Sequence, residues 1–330
     1  MSPEANDIKY AVDRNSPLLR TGPVRPVRGA RADKILEYGC SALFPEERTS
    51  GARAPVRTYM KKNRRPAPLS KRPAAGKVIS FAMDMPQLGA EGRRIWVYLP
   101  PGYAASGRRY PVLYMHDGQN LFDPETSHCG DWGVGRSLDA LFHEKKTRGA
   151  IVVGVDNGGT ERWNEYSPWC ARNGRGRCRG ARYARFLVDS LKPLVDEKFR
   201  TLPGREHTGI AGSSLGGTIS FYIALKYPEI FSRAGLFSPA FWFARAAAVK
   251  LLKHARLEQG LRVYIDVGTK EGDHEDDYLA DAQNIAGLFS EKKGAERLLI
   301  VDEGGIHNET AWAERFPAAF LWLFEGARRR

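Results

Sequence analysis

From Lys77 onward the chain alternates short apolar runs with longer stretches in which apolar residues recur every three or four positions. The runs Val78 to Met83, Ile95 to Leu99, Pro111 to His116, Ala150 to Val155, Thr208 to Gly212, Arg233 to Phe237, Leu261 to Val267 and Arg297 to Val301 predict eight strands. The helical period predicts helices over about 134–146, 181–198, 215–226, 241–257, 276–293 and 308–325. Strand and helix in alternation require crossover connections, and so a mainly parallel sheet covered on both faces. Only Gln87 to Gly92 separates the first two strands, which predicts an antiparallel hairpin at the sheet's edge. The expected fold class is therefore α/β, one domain from about residue 77 to 330 around an eight-stranded sheet.

The first 76 residues lack this texture. They hold nine of the twenty prolines, and residues 1–80 carry seventeen Lys and Arg against seven acids, most of the chain's net charge of +13. Such a segment cannot bury enough apolar surface to offset the entropy of ordering it, and a disordered basic tail over 1–76 is expected. A start assigned too early is the other reading of this stretch. Its basic clusters, Lys61-Lys62-Asn63-Arg64-Arg65 and Lys71-Arg72, stand among prolines with almost no aromatic residues, a poor match to a nucleic-acid surface. No apolar run is long enough to span a membrane, and residues Met1 to Asp7 lack a basic, then apolar, leader, which makes the cytoplasm the default compartment. The four cysteines form no CxxC pair and have no histidine at zinc-ligand spacing. No metal or cofactor is expected, and Cys170 and Cys178, able to close a short loop under oxidising conditions, are expected as free thiols.

Chain order then becomes informative. Gly212-Ser213-Ser214-Leu215-Gly216 fits G-x-S-x-G at the point where a strand must pass into a helix, the context of a nucleophile elbow: a turn so sharp that small residues must flank the serine. A serine hydroxyl needs a general base, and of the seven histidines His307 alone follows the last strand, whereas His116, His128 and His143 precede the elbow. The acid that orients the imidazole is sought after the penultimate strand, in Gly268-Thr269-Lys270-Glu271-Gly272-Asp273. Glu271 lies nearest the strand end, with Asp273 as the alternative. Oxyanion donors are expected from the amide of Leu215 and from His116-Asp117-Gly118-Gln119-Asn120, with Gln119 ahead of Gly118.

At these residues the chain resembles a known family. Tyr114 to Phe122, Arg162-Trp163-Asn164-Glu165-Tyr166-Ser167-Pro168, Gly212 to Gly217, Phe237-Ser238-Pro239-Ala240-Phe241-Trp242 and His307-Asn308-Glu309 with Trp312 together resemble the esterase family of α/β-hydrolases. That family includes feruloyl and acetyl xylan esterases, esterase D-like S-formylglutathione hydrolases, enterochelin esterases and the mycolyltransferases. The resemblance covers about residues 77–325 and implies an α/β-hydrolase fold, Ser214 as nucleophile, His307 as base and Glu271 at the acid position of a G-T-x-[DE] loop. The glutamate departs from the commoner aspartate and keeps Asp273 in play. Trp242 and Trp132 are candidate walls of an acyl or aromatic pocket, or core residues; Arg162 and Glu165 are expected as a structural ion pair holding a loop near the site.

The activity so implied is that of a serine esterase acting on a small-molecule or carbohydrate-linked ester. An acyltransferase with the same triad and a binding protein on a hydrolase scaffold stand as alternatives.

Overall fold

The structure, a computed structural model, describes residues 75–127, 130–170, 177–272 and 275–325, so the tail expected over 1–76, save its last two residues, and Asp273 lie outside the described residues. Eight strands form one sheet: β1 (Lys77–Met85), β2 (Ala90–Leu99), β3 (Val112–His116), β4 (Ile151–Val155), β5 (Thr208–Ser213), β6 (Arg233–Phe237), β7 (Leu261–Lys270) and β8 (Ala295–Ile306). They lie in the order β1-β2-β4-β3-β5-β6-β7-β8. β1 and β2 pair as the expected antiparallel hairpin, β2 meets β4 antiparallel, and every later pairing is parallel. β8 closes one edge of the sheet.

The strand cores are continuous apolar runs because both faces are covered. Tyr114, Ile210, Leu236 and Ile265 face one cluster, which they share with Phe186, Ile219 and Leu252. Their neighbours Leu113, Ala211, Phe237 and Tyr264 face a second, completed by α1 (Val134–His143) and the terminal helix (Glu309–Phe324). The two sets alternate by single residues along each strand, as the pleat requires. Between α1 and the terminal helix run α2 (Arg162–Tyr166), α3 (Gly180–Arg185), α4 (Lys192–Lys198), α5 (Leu215–Lys226), α6 (Arg245–His254) and α7 (Glu275–Ser290); the terminal helix is α8. From Leu215 to Leu225, α5 is buried at every position but Tyr222, so its first turn is held rigidly beneath the carboxyl end of the sheet.

Two expectations need correction. The helix expected over 181–198 is interrupted by a wider π-helical segment, Phe186–Leu191. Pro193 is the reason: it has no N–H for the Asp189 carbonyl, and its ring would crowd that carbonyl in a regular helix. Cys170 and Cys178, expected as free thiols, are disulfide-bonded, with Cα atoms 5.2 Å apart. The ends of their loop are drawn together by backbone bonds from Arg179 N to Asn164 O (2.7 Å) and from Gly180 N to Ser167 O (3.0 Å). Among the described residues no helix is long and apolar enough to cross a membrane.

Candidate active site

The parallel strands all deliver their carboxyl ends to one edge of the sheet, where the loops gather the chemically interesting residues. At the end of β5, Ser214 has φ 58° and ψ −124°, a backbone conformation costly for any residue with a side chain. The turn is held from β6: Ser214 N donates to Phe237 O (2.9 Å), and Ser214 O accepts from Ala240 N (3.1 Å). Gly212 is required beside it, since a Cβ there would stand 2.9 Å from the His116 ring and 3.0 Å from the Gly216 backbone. Ser213 points into the protein and is buried, whereas Ser214 keeps access to solvent at the start of α5. The leading amides of α5, Leu215 first, have no carbonyl partner within the helix.

The ends of β7 and β8 continue past the sheet as a two-stranded ribbon in which Lys270 pairs with Ile306 and Gly304 N donates to Thr269 Oγ1 (2.8 Å). This ribbon brings Glu271 and His307 together. His307 Nδ1 lies 2.5 Å from Glu271 Oε2. The second carboxylate oxygen, Oε1, accepts from Ser238 Oγ (2.7 Å) and from Gly268 N (2.5 Å). Trp312 Nε1 donates in turn to Ser238 Oγ (2.9 Å), and the indole packs edge-on against the imidazole with centroids 4.9 Å apart. With the Glu271 side chain wholly buried and His307 about a quarter exposed, the carboxylate is fixed by three donors and the imidazole by one hydrogen bond and one ring edge.

Ser238, with φ 41°, was not singled out among the sequence candidates. Its signal was its place in Phe237-Ser238-Pro239, at the end of the strand between those that carry Ser214 and Glu271. Tyr278 was missed too: its ring centroid is 4.8 Å from that of His307.

The loop after β3 forms a short 3-10 turn, Gly118–Asn120, entered through Asp117 at φ 55°. Arg162 Nε and Nη2 donate to the two Asp117 carboxylate oxygens at 2.6 and 2.8 Å, and Asn157 Nδ2 donates to Oδ1 at 2.7 Å. Burial pushes the Asp117 carboxyl up, but Arg162 and Asn157 together hold it below its ordinary value. The Tyr166 hydroxyl reaches Asp117 N at 3.1 Å. Behind the loop His116 is buried against Tyr183, 2.8 Å from Nδ1 to the phenol oxygen, and burial lowers its pKa to about 3; it stays neutral. The turn leaves the Gly118 and Gln119 amides without partners inside it. Gln119 turns its side chain away, its Oε1 accepting from Asn157 N at 3.2 Å.

Arg162 and Glu165 do not pair with each other as expected. Glu165 takes Arg93, with both guanidinium nitrogens within 2.8 Å of its oxygens, while Arg162 takes Asp117. Each end of the five-residue α2 is thus anchored to a different part of the sheet. Trp132 is also not a pocket wall: it is buried against Phe237 (4.9 Å between centroids), Trp312 and Phe316, in the core behind the His307 loop. Trp242 is partly buried, with its ring centroid 6.0 Å from those of both Trp163 and Phe243, and Trp163 is 38% exposed. Glu309, two residues after His307, accepts from Asn120 Nδ2 at 3.0 Å and so ties the His307 loop to the turn after β3.

Comparison with known proteins gives a consistent picture. The esterase family model matches residues 89–323. YbbA of Bacillus subtilis, an uncharacterized protein, is 26% identical over 247 residues, 71% of this chain and 94% of its own length. The endo-1,4-beta-xylanase/feruloyl esterase of Xylanibacter ruminicola is 28% identical over 221 residues, 66% of this chain and 27% of its own. Among solved structures, an IroE-like serine hydrolase from Shewanella oneidensis superposes with a TM-score of 0.62 at 20% identity, over 76% of this chain and 80% of that one. At that identity the likeness is one of fold.

Proposed function

The chain belongs to the esterase family, and from that premise we propose that it is a serine esterase working through an acyl-enzyme on Ser214. The observation that carries the reading is the bond between His307 Nδ1 and Glu271 Oε2. A carboxylate on Nδ1 fixes the proton there and leaves Nε2 with a free lone pair, the tautomer that a serine nucleophile requires. Ser214 Oγ attacks the ester carbonyl as His307 takes its proton. The charge that forms on the carbonyl oxygen is met by the Leu215 amide and by that of Gln119, with Gly118 as the neighbouring donor. His307 then protonates the departing alcohol. Water, deprotonated by the same imidazole, releases the acid.

The acyl group is proposed to be aromatic. Trp163, Trp242 and Phe243 form a cluster of rings with centroids 5.3 to 6.0 Å apart, a chemistry that suits an aromatic acyl group, and the relative from Xylanibacter ruminicola is named a feruloyl esterase. A fluorophosphonate probe followed by mapping of the labelled residue tests the mechanism: the label should fall on Ser214, Ser214→Ala should abolish hydrolysis of methyl ferulate, and Ser213→Ala should retain substantial turnover. A label elsewhere, or the opposite pair of phenotypes, overturns it.

A further inference from the structure

Asp117 is a buried carboxylate that takes no part in the reaction as described so far. It enters the turn after β3 in the left-handed region, φ 55° and ψ 50°, where a residue with a side chain persists only when its surroundings hold it. Three elements do so. From α2, Arg162 Nε and Nη2 donate to its two oxygens at 2.6 and 2.8 Å, and the Tyr166 hydroxyl accepts from its amide at 3.1 Å. From the loop after β4, Asn157 Nδ2 donates to Oδ1 at 2.7 Å. The third is the elbow helix α5: a Cβ added to Gly216, two residues after Ser214, would stand 3.4 Å from Asp117 Oδ2.

We propose that Arg162 is a positioning residue for the esterase reaction: by holding Asp117 it sets the turn that carries the Gly118 and Gln119 amides against the first turn of α5. The inference rests on the reading of Ser214 as nucleophile and of those amides as oxyanion donors.

A fork on two oxygens fixes the plane of the carboxylate as well as its place, which a single bond does not. The residue that follows has little room to compensate, since a Cβ on Gly118 would lie 2.9 Å from Asp156 N, from Gly154 C and from the Trp96 ring. Arg162 is itself held, its guanidinium lying over the Tyr166 ring at 5.2 Å from the centroid, and Glu165 on the same short helix is gripped by Arg93. The turn is therefore placed by a chain of contacts that runs from β2 through α2 to Asp117 and ends on the elbow helix.

Charge gives the pair a second role. A carboxylate at the start of α5 competes with the oxyanion for the same positive helix terminus, and burial weakens the screening between the two negative charges. Arg162 cancels that charge. Its side chain is 28% exposed and that of Asp117 8%, so removing the guanidinium alone leaves a buried anion beside the donors, whereas removing both charges costs only the placement.

Arg162→Met should lower the kcat for methyl ferulate and the fluorophosphonate labelling rate about 100-fold, with KM within about two-fold, because the amides act on the oxyanion rather than on the bound ester. The double variant Asp117→Asn/Arg162→Met loses the stranded charge and should regain about ten-fold over Arg162→Met. Arg162→Lys keeps the charge without the fork and should lie about ten-fold below the parent in kcat; it decides the matter if Arg162→Met does not fold. A parent-like kcat in Arg162→Met or in Arg162→Lys, a loss carried by KM, or a double variant no faster than Arg162→Met would overturn the role of Arg162 and leave the serine mechanism standing. Hydrolysis that persisted in Ser214→Ala would remove both.

Discussion

Gly268 stands so close to Gly305 that a Cβ added to it would sit 2.1 Å from the Gly305 carbonyl oxygen. Gly268 lies three positions before Glu271 and Gly305 two positions before His307, so this backbone contact sets how far apart Glu271 and His307 can be. Overpacking of this kind usually costs about 1–3 kcal/mol, and here something must move in the ribbon itself. Gly268→Ala should therefore fold, melt a few degrees lower, and lose turnover by roughly 100-fold or more because a shift of about an ångström at a catalytic group is expensive. Circular dichroism with initial rates on one preparation checks this; parent-like kcat would mean that the ribbon yields without moving the acid.

The acid is assigned by a second comparison. Glu271 bonds the imidazole directly, so Glu271→Gln should reduce turnover on the order of 10⁴-fold, whereas Asp273→Asn should change it little. Ser238→Ala should fall between the two, near ten-fold, since it removes one donor from Glu271 and leaves the Trp312 N–H without its acceptor. Steady-state rates for the three variants decide it, and an inverted order would transfer the role to Asp273.

Glu309 predicts a pH dependence of stability. Burial, with Asp117 adding to it, raises its pKa from 4.5 to about 7 against the pull of Arg162 and Asn120. The folded protein therefore keeps the Glu309 proton to higher pH than the unfolded chain does, and the stability this brings is complete below about pH 4.5 and is lost as pH rises through about 7. Glu309→Gln never ionises and still offers Asn120 an oxygen, so it should melt several degrees above the parent at pH 8, with the gap closing toward pH 5. Paired thermal scans across that range read the difference directly.

For the basic N-terminal segment the expectation is dispensability. Gly76 N donates to Asp139 Oδ1 at 2.9 Å, so a truncated protein should begin no later than Ala75. It should fold and hydrolyse methyl ferulate with the parent's kinetics. Any binding of the full chain to anionic vesicles should weaken steeply between low and physiological salt and vanish on truncation. Failure of the truncated protein to fold would move the domain boundary upstream.

The eight strands were legible because each is a short apolar run bounded by turn residues, and the elbow because its glycines sit at a strand-to-helix junction. Glu271 and His307 were legible from chain order, which a parallel sheet converts into proximity. What escaped was carried by contacts between residues far apart in sequence. Nothing local marks Asp117 as the partner of Arg162 or Arg93 as that of Glu165. Trp132 and Trp242 are alike as letters, and only packing shows that the first is buried behind the His307 loop. Tyr278 reads as an ordinary aromatic on an amphipathic helix, and Pro193 shows its effect one turn before itself.

β8, which leads to His307, is an outer strand of the sheet, whereas β5, which leads to Ser214, lies inside it between β3 and β6. Val301 and Ile306 on β8 are 43% and 47% exposed. His307 and Ser214 therefore rest on ground of unequal firmness. Local opening draws on the least enclosed hydrogen bonds, so amides of residues 297–306 should exchange with deuterium well before those of 208–213. On warming, the molecule should part with its base while the serine is still held in its turn, and catalysis should fade, reversibly, at temperatures where the sheet as a whole is intact.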